Sequence, residues 1–442
     1  RKISEVLLPN ELLSIGDNAF RGTGLSTVTI PRSVTKIGTN AFPSCNLKVY
    51  QPSAGYDYDS SNKTVLNDSY TKGSDTFYYI IKSDDTAEII GCETTSTELT
   101  VPEEIDGYTV SSIGDYGFAK CNTLKSITIP KNIKTIGKYA FDGCTGLINA
   151  TIPTTVSSVG DYAFNNCTGL KNVTISEGVE SIGKGCFYNC TSLAEAVVPD
   201  TAKYVGAYAF YNCTSMVNAT IGTTTESIGE CTFYNCEKLE TVVIGYSVKS
   251  IGDYAFYNCG LSKVTIPSST KYIGKYAFAN NKSMTKVTHK KGVVTIDEFA
   301  YQNCTSLETV TLPTSLEIIS KGVFQNCSLL KTANLPSSLK TLGSYAFDNC
   351  SSLPTVTIPT GVTVINDCTF NKCTSLATVT INSNVTSIGF DAFRECAFSA
   401  ITLPNTLETI KGGAFRGCAK LTKIIIPDAT KTIGEAAFFD CT

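Results

Sequence analysis

The sequence repeats itself with a period of 22 or 23 residues. Aligned on the aromatic residue of the motif A-F-x-x-C, it contains seventeen copies of A-F-x-x-C-x-x-L-x-x-V-x-I-P-x-x-V-x-x-I-G-x-x. The aligned aromatic residues are Phe20, Phe42, Phe118, Phe141, Phe164, Phe187, Phe210, Phe233, Phe256, Phe278, Tyr301, Phe324, Phe347, Phe370, Phe393, Phe415 and Phe438. A fixed period in this range predicts a repeat solenoid, in which each repeat is one coil stacked on its neighbours.

Each copy carries the signal of a half-buried strand. In "LKSITIP", Ile127 and Ile129 alternate with polar residues, and Pro130 then ends the strand because proline has no N–H to donate. In the return segment of the next coil we expect Gly160 to turn the chain, since glycine adopts backbone angles that other residues avoid. One coil cannot bury its apolar side alone, so we predict a continuous core shared by coils stacked at about 4.8 Å.

The repeat resembles the Treponema-type leucine-rich repeat of BspA-like surface proteins. The resemblance rests on the 23-residue period and on the motifs F-x-x-C-x-x-L, V-T-I-P and I-G-x-x-A-F, and it covers most of the 442 residues. It implies a leucine-rich-repeat solenoid, a β-rich right-handed superhelix shaped as a curved rod with one strand per coil. It also implies an extracellular protein on the surface of oral or gut bacteria, with relatives in trichomonads, that takes part in adhesion. The family offers no catalytic or ligand-contacting residue to carry over.

Composition and motifs exclude several function classes. A net charge of −3 gives no reason to expect binding to nucleic acid, and no apolar run approaches the roughly 20 residues of a membrane span. The chain begins without Met or a signal-peptide pattern, which we interpret as the cut edge of a longer exported protein. It has one histidine and no nucleophile–base pair, metalloprotease motif or phosphate-binding loop. We therefore predict no enzyme and no cofactor.

The period is interrupted between Phe42 and Phe118. Residues 51–76 lack apolar periodicity and are rich in Ser, Asp, Gly and Tyr, whereas "FYYIIKSDDTAEIIGC" predicts a hairpin that turns at Lys82–Asp85. A solenoid needs a distinct unit over its first coil. We predict four parts: the end of a first leucine-rich-repeat array at 1–50, a linker or long loop at 51–76, a hairpin N-terminal cap at 77–114 and a second array at 115–442. One continuous solenoid with a looped-out insertion is the alternative.

Fifteen of the 19 cysteines occupy one position, three residues after the repeat aromatic. They are Cys45, Cys121, Cys144, Cys167, Cys190, Cys213, Cys236, Cys259, Cys304, Cys327, Cys350, Cys373, Cys396, Cys418 and Cys441. Thr23 and Asn281 stand there in the other two copies. Structural zinc needs about four converging ligands. A ladder instead sets its thiols in a line, so we expect no metal site.

Two interpretations of these thiols remain. Disulfides between adjacent coils are within reach, although an odd number of equivalent thiols has no unique pairing. We favour a small buried thiol that fills the turn and donates to a backbone carbonyl. The more reactive candidates are the four cysteines out of phase with the repeat: Cys92, Cys186, Cys231 and Cys368.

Tyrosines recur beside the repeat aromatic. Two residues before it stand Tyr116, Tyr139, Tyr162, Tyr208, Tyr254, Tyr276 and Tyr345, and one residue after it stand Tyr188, Tyr211, Tyr234 and Tyr257. Tyrosine supplies a large contact area at low entropic cost. We predict that the second set forms a partner-binding edge, with stacking that seals neighbouring coils as the alternative. Threonines at the outward strand position, such as Thr265 and Thr311, predict an inert strand face.

One coil departs from the pattern in its charge. The segment from Lys271 to Asp297 lacks the repeat cysteine and carries Lys271, Lys275, Lys282, Lys286, His289, Lys290 and Lys291. In a mildly acidic protein this patch is a candidate site for an anionic partner such as a sulfated glycan, and a solvated irregular repeat is the alternative.

These observations together predict a non-enzymatic cell-surface scaffold that binds a host or microbial surface protein, matrix protein or glycan through its repeats. The alternative is a structural spacer that projects another domain and has no ligand of its own.

Overall fold

The structure, a computed structural model, describes residues 2–9, 12–31, 34, 36–43, 45–49, 57–58, 64–66 and 69–442. The chain forms two compact units, Arg1–Cys190 and Thr191–Thr442. In the described residues both units consist of short strands and turns and contain no helix. A helix that could cross a membrane is accordingly absent from these ranges.

Unit 1 contains eighteen strands in its described part. They are β1 (Ser14–Ile15), β2 (Thr27–Ile30), β3 (Lys36–Ile37), β4 (Asn46–Val49), β5 (Asp57–Tyr58), β6 (Thr64–Leu66), β7 (Ser69–Lys72), β8 (Asp75–Ile81), β9 (Ala87–Glu93), β10 (Glu98–Thr100), β11 (Glu104–Ile105), β12 (Tyr108–Ile113), β13 (Ser126–Thr128), β14 (Thr135–Ile136), β15 (Asn149–Ile152), β16 (Ser158–Val159), β17 (Asn172–Ile175) and β18 (Ser181–Ile182).

Unit 2 contains twenty-two strands, again two in nearly every coil. They are β19 (Glu195–Val197), β20 (Tyr204–Val205), β21 (Asn218–Thr220), β22 (Ser227–Ile228), β23 (Thr241–Val243), β24 (Ser250–Ile251), β25 (Lys263–Ile266), β26 (Tyr272–Ile273), β27 (Lys286–His289), β28 (Thr295–Ile296), β29 (Thr309–Thr311), β30 (Ile318–Ile319), β31 (Thr332–Ala333), β32 (Thr341–Leu342), β33 (Thr355–Thr357), β34 (Val364–Ile365), β35 (Thr378–Thr380), β36 (Ser387–Ile388), β37 (Ala400–Ile401), β38 (Thr409–Ile410), β39 (Lys423–Ile424) and β40 (Thr432–Ile433).

Both units stack their coils through parallel strands in the register of the repeat. In unit 1, β13 pairs with β15 so that Ile127 lies beside Ala150. In unit 2, β25 pairs with β27 so that Val264 lies beside Val287. The predicted solenoid is thus confirmed. The return segment of each coil also forms a two-residue strand, because its backbone lies in the same register against its neighbour, as in β14 and β16.

The predicted hairpin is present in unit 1. Strands β8 and β9 pair antiparallel, with Phe77 opposite Cys92, and β9 then pairs in parallel with β12. The segment 51–76 holds strands at β5, β6 and β7 and the start of β8, so these positions are not loop; β5 and β6 continue the parallel ladders of β3 and β4. The other residues of that segment lie mostly outside the described ranges. The boundaries between the four predicted parts stay a prediction.

A column of stacked aromatic rings forms the centre of each unit. In unit 1 the rings of Phe118, Phe141, Phe164 and Phe187 lie parallel, with centroids 4.7 to 5.4 Å apart. In unit 2 the column runs from Phe210 to Phe438 with centroid distances of 5.1 to 5.6 Å. Burying such a side chain stabilises the fold by about 1.5–3 kcal/mol, and stacking adds to this. Aligned rings therefore fix the register of neighbouring coils.

Most coils place two residues in the left-handed backbone region. One stands two residues before the ring and is often tyrosine, such as Tyr162 (φ 55°); the other stands two after it and is often asparagine, such as Asn235 (φ 61°). Asparagine tolerates this region better than most residues. Its side chain also donates a hydrogen bond to the preceding coil: Asn235 Nδ2 donates to Asn212 Oδ1 at 2.7 Å, and Asn258 Nδ2 donates to Asn235 Oδ1 at 2.6 Å. The recurring "NC" in the sequence is therefore a hydrogen-bonded asparagine ladder.

Gly160 is required for a different reason from the one expected. Its φ is not in the left-handed region; Tyr162 makes that turn instead. A Cβ at position 160 would meet Gly137 C at 2.6 Å and Lys138 N at 2.7 Å. Real Cβ atoms do not approach backbone so closely, so glycine lets two coils come together at this point.

Candidate partner-binding surface

The four tyrosines that follow the repeat aromatic are half-buried. In unit 2, Tyr211, Tyr234 and Tyr257 stack at centroid distances of 4.9 Å with their rings nearly parallel. In unit 1, Tyr188 lies 6.2 Å from Tyr162 at a tilt of 57°. Each ring thus seals a contact between coils and leaves part of its surface in solvent. Partial burial also raises the pKa of Tyr234. A role for these four residues in partner binding stays a prediction.

The predicted basic patch is divided by the fold. Lys282, Lys286, Lys290 and Lys291 are exposed, whereas His289 is buried. His289 is the last residue of β27 and takes the inward position that Ile266 holds in the preceding coil. It is therefore removed from the candidate surface, because a partner cannot reach a side chain that is 3% exposed.

His289 belongs to a buried polar pair. Its Nε2 lies 2.8 Å from the hydroxyl of Tyr301, and its Nδ1 lies 2.9 Å from the carbonyl oxygen of Thr311. Tyr301 is itself fully buried and stands where the other coils place phenylalanine. Burial lowers the pKa of His289 to about 4, because an interior without compensating charge disfavours the imidazolium. The two departures from the repeat satisfy each other, so this histidine is a neutral core residue.

Sequence reasoning missed an exposed apolar patch in unit 2. Val197 and Val243 stand at the outward strand position that other coils fill with threonine, and they are 46% and 61% exposed. Register places Thr220 between them. Tyr246, in the turn after β23, is 69% exposed. The signal was available in the sequence as two interruptions of the threonine column, but only the register shows that they lie on one face.

The repeat thiols form a ladder of hydrogen bonds. Each of twelve donates from Sγ to the carbonyl oxygen of the aromatic residue in the preceding coil, at 3.0 to 3.3 Å, as Cys144 does to Phe118. Burial raises the pKa of Cys144 and of Cys350. The predicted small buried thiol that donates to a carbonyl is confirmed. Where Asn281 replaces the cysteine, its Nδ2 donates to Phe256 O at 2.7 Å and to Phe278 O at 2.8 Å.

The four cysteines out of phase occupy different environments. Cys186 is fully buried, and its pKa is raised by that burial. Cys231 and Cys368 take the left-handed position before the ring, with φ of 51° and 55°.

Cys92 faces the first thiol of the long ladder. Cys121 Sγ donates to Cys92 O at 3.9 Å, and both residues line an open groove. The pKa of Cys121 is lowered, since a hydrogen bond from the Cys92 thiol stabilises its thiolate. The reactivity predicted for Cys92 and the other three out-of-phase cysteines stays a prediction. In the described residues no three side chains of the types that ligate metals converge.

Comparisons with known proteins agree with this architecture. The sequence profile described as "BspA type Leucine rich repeat region (6 copies)" matches residues 1–62 and, in overlapping segments, residues 92–217, 203–329, 272–397 and 386–442. No curated protein matches the chain significantly.

Several solved structures are similar to the chain. A leucine-rich repeat protein from Bacteroides ovatus is 27% identical, with a TM-score of 0.65, covering 84% of this chain and 92% of that one. A leucine rich cell surface protein from Faecalibacterium prausnitzii is 23% identical with a TM-score of 0.41, covering 71% of this chain and 95% of that one. The T. pallidum leucine rich repeat protein is 26% identical with a TM-score of 0.40, covering 41% of this chain and 86% of that one.

Proposed function

Since the chain belongs to the family of BspA-type leucine-rich repeat proteins, we propose that it is a non-enzymatic recognition scaffold displayed at a bacterial cell surface. Its partner is a host or microbial surface protein, a matrix protein or a glycan, bound through the repeat surface. Repeat proteins suit this role because stacked coils present an extended face on which many weak contacts add up.

The observation that carries this proposal is the exposed apolar patch of unit 2. Val197, Val243 and Tyr246 are 46 to 69% exposed, and most of the neighbouring outward positions, such as Thr220 and Thr265, carry threonine. Folding gains little from an apolar side chain left in water. Exposed aromatic and apolar residues within a polar surround are typical of protein interaction sites.

A screen of the full chain on arrays of glycans and matrix proteins tests the proposal. We expect binding that is weakened in the variant Val243→Thr/Tyr246→Ser. Threonine is the residue that neighbouring coils carry at the first position, and Ser268 stands at the equivalent of the second, so this variant preserves the fold.

The matched control is Ile425→Thr, which removes an exposed apolar side chain from the same outward position near the other end of unit 2. It is expected to leave binding unchanged. Equal losses in both variants would show that the contact is non-specific and would contradict the proposed surface.

The second candidate function is a structural spacer. It is favoured by the turn tyrosines, since Tyr211, Tyr234 and Tyr257 stack on each other across neighbouring coils and are half-buried. A folded sample that binds nothing on either array would favour the spacer over the recognition scaffold.

A further inference from the structure

We propose that the groove beside Tyr246 in unit 2 binds a sulfated glycan chain. The inference rests on the proposed recognition function and names the ligand class and the subsite. The groove has a volume of about 480 Å³, within the range of ligand sites in proteins. Its lining includes Val243, Tyr246, Lys263, Thr265 and Lys290.

Two lysines stand directly opposite each other beside this groove. Lys263 in β25 and Lys286 in β27 are register partners on adjacent parallel strands, and both are exposed. Like charges in directly opposed strand positions repel each other. Within the described residues neither lysine forms an ion pair or a side-chain hydrogen bond. The pair therefore presents two adjacent positive charges without an acidic partner, and a bound anion would supply one.

Some other lysines of unit 2 are neutralised by an acidic residue of another coil. Five of them reach a glutamate one coil away, with Nζ–Oε distances of 2.8 to 3.1 Å: Lys249–Glu226, Lys275–Glu298, Lys331–Glu308, Lys340–Glu317 and Lys431–Glu408. At the strand position of Lys263 itself, the preceding coil has Thr241, which donates to Asn218. The repeat thus offers simple ways to neutralise or replace a lysine, and the Lys263–Lys286 pair uses neither.

Two more ammonium groups extend the pair along the turn. Lys290 and Lys291 follow β27 directly, where the preceding coil has Pro267 and Ser268, and both are exposed. Asp200 is the acidic residue in the groove lining, and its carboxylate accepts the backbone N–H of Thr223 at 2.7 Å. Lys263 and Lys290 line the groove together with this engaged carboxylate, and Lys286 and Lys291 lie next to these two lysines, so the region is basic in a chain whose net charge is −3.

The other lining residues favour a sugar over an acidic peptide or a simple anion. The exposed ring of Tyr246 offers a flat apolar surface on which the C–H face of a sugar ring can pack. Thr265 adds a hydroxyl group. It lies one residue before the end of β25, at the outward position that Val243 holds in the preceding coil. Neighbouring strands lie about 4.8 Å apart, close to the length of one sugar residue, so successive coils can meet successive sulfates.

Binding of a heparin hexasaccharide to the full chain, measured by calorimetry, tests the inference. We expect saturable binding that weakens about tenfold in Lys263→Thr/Lys286→Thr, since each exposed charge contact contributes up to about 1 kcal/mol. Tyr246→Ser is expected to weaken binding by a factor of about 2 to 10. Raising the ionic strength from about 0.01 M to about 0.15 M should also weaken binding, because the Debye length falls from about 30 Å to about 8 Å.

The matched control is Lys423→Thr. Lys423 occupies the same strand position in β39 but faces Ala400 instead of a second lysine, so this variant should bind as the parent does. A loss in Lys423→Thr equal to that in the double variant would overturn the proposal, since it would reveal attraction by net charge alone.

Two further probes separate the alternatives. De-sulfated heparin hexasaccharide should bind at least about tenfold more weakly, because Lys263, Lys290 and the lysines beside them would lose their anionic partners. A DNA duplex that competes as well as heparin would overturn the choice of a sugar. If heparin fails to bind while a matrix protein binds the full chain, the groove assignment is wrong and the recognition function stands; if every probe fails, both are wrong.

Discussion

The interior of the coils and their outer strand face differ in how they treat departures from the repeat. Inside, His289 replaces an isoleucine and Tyr301 a phenylalanine, and the two side chains bind each other. Asn281 replaces a cysteine and donates to the same kind of carbonyl. Outside, Val243 and Tyr246 replace polar residues and remain in solvent, and Lys263 and Lys286 face each other without an acid. Substitutions in the repeat whose polar groups find partners inside the fold contribute to its stability. Substitutions that leave apolar or charged side chains in solvent are available to a binding partner.

The largest expected effect comes from removing a ring of the central column. Phe256→Ala should lower the free energy of unfolding by about 3–5 kcal/mol, because Phe256 is fully buried between Phe233 and Phe278. Tyr257→Ala, one residue along in the half-buried outer stack, should cost about 1 kcal/mol. Denaturant unfolding measures both. Equal losses of unfolding free energy in the two variants would contradict the distinction between the interior and the surface of the coils.

Acidification is expected to destabilise the interior through His289. Its folded pKa of about 4 lies below the ordinary value of 6.5, so between these pH values the unfolded chain binds a proton that the folded chain does not. Stability should therefore fall as the pH drops through this window, by about 3 kcal/mol in total for this group. Denaturant unfolding of the parent and of a histidine-free variant at each pH separates the contribution of His289 to the pH dependence of stability from the contribution of the carboxylates.

The histidine-free variant also tests compensation directly. His289→Ile alone should cost about 1–3 kcal/mol near neutral pH, because it leaves the Tyr301 hydroxyl buried without its partner. Adding Tyr301→Phe completes the regular repeat and should recover most of that loss. If the double variant is no more stable than the single one, the pair does not act as a compensated unit.

The thiol ladder is expected to show an intermediate effect. Cys144→Ala removes a buried hydrogen bond to Phe118 and leaves a small void, so it should cost about 1–2 kcal/mol. The comparison variant is Asn281→Cys, which restores the usual residue and removes an Oδ1 that has no hydrogen-bond partner in the described part of the chain. It should change stability by less than about 1 kcal/mol.

A thiol count on the denatured protein without reductant addresses the alternative of disulfides. Nearly all 19 cysteines should react. In the native protein Cys144 should react slowly because burial raises its pKa, and Cys121, the repeat thiol whose pKa is lowered, should react first. A count far below 19 in the denatured protein would show a disulfide ladder.

The smallest expected effect lies on the outer face. Val243→Thr should change the free energy of unfolding by less than about 0.5 kcal/mol, because the side chain is 61% exposed and the strand keeps a β-branched residue. Denaturant unfolding beside the parent measures this difference. A cost near that of a core residue would mean that this valine serves the fold.

Much of the interior was predictable from the sequence, because every coil repeats the same physical problem. The buried thiol was the favoured of two interpretations, and the continuous core and the hairpin of β8 and β9 follow from apolar spacing and turn composition. The burial of His289 does not, since a histidine on an apolar position is stable only with a partner, and Tyr301 becomes its neighbour only after coils stack. The role of Gly160 was likewise hidden, because the close approach is to the backbone of another coil.

The candidate surface was predictable only in part. Exposed lysines and tyrosines were recognised one coil at a time, whereas a binding face is formed by residues about 23 positions apart. Lys263 could have been found by reading 23 residues back from Lys286. Tyr246 could not, because nothing in the sequence shows that its ring stays in solvent.

The left-handed residues of the coils bear on how such a chain acquires its structure. A side chain in that region costs about 1–2 kcal/mol, and most coils hold two such positions. The compensating contacts, among them the hydrogen bond from the side-chain amide of Asn235 to that of Asn212, are made with a neighbouring coil. Folding of a single isolated coil is thus unfavourable in free energy, whereas folding of a coil onto an existing stack is favourable. Folding must then begin from a rare seed of several coils and spread outward like a zipper, with the growing end always the most easily undone.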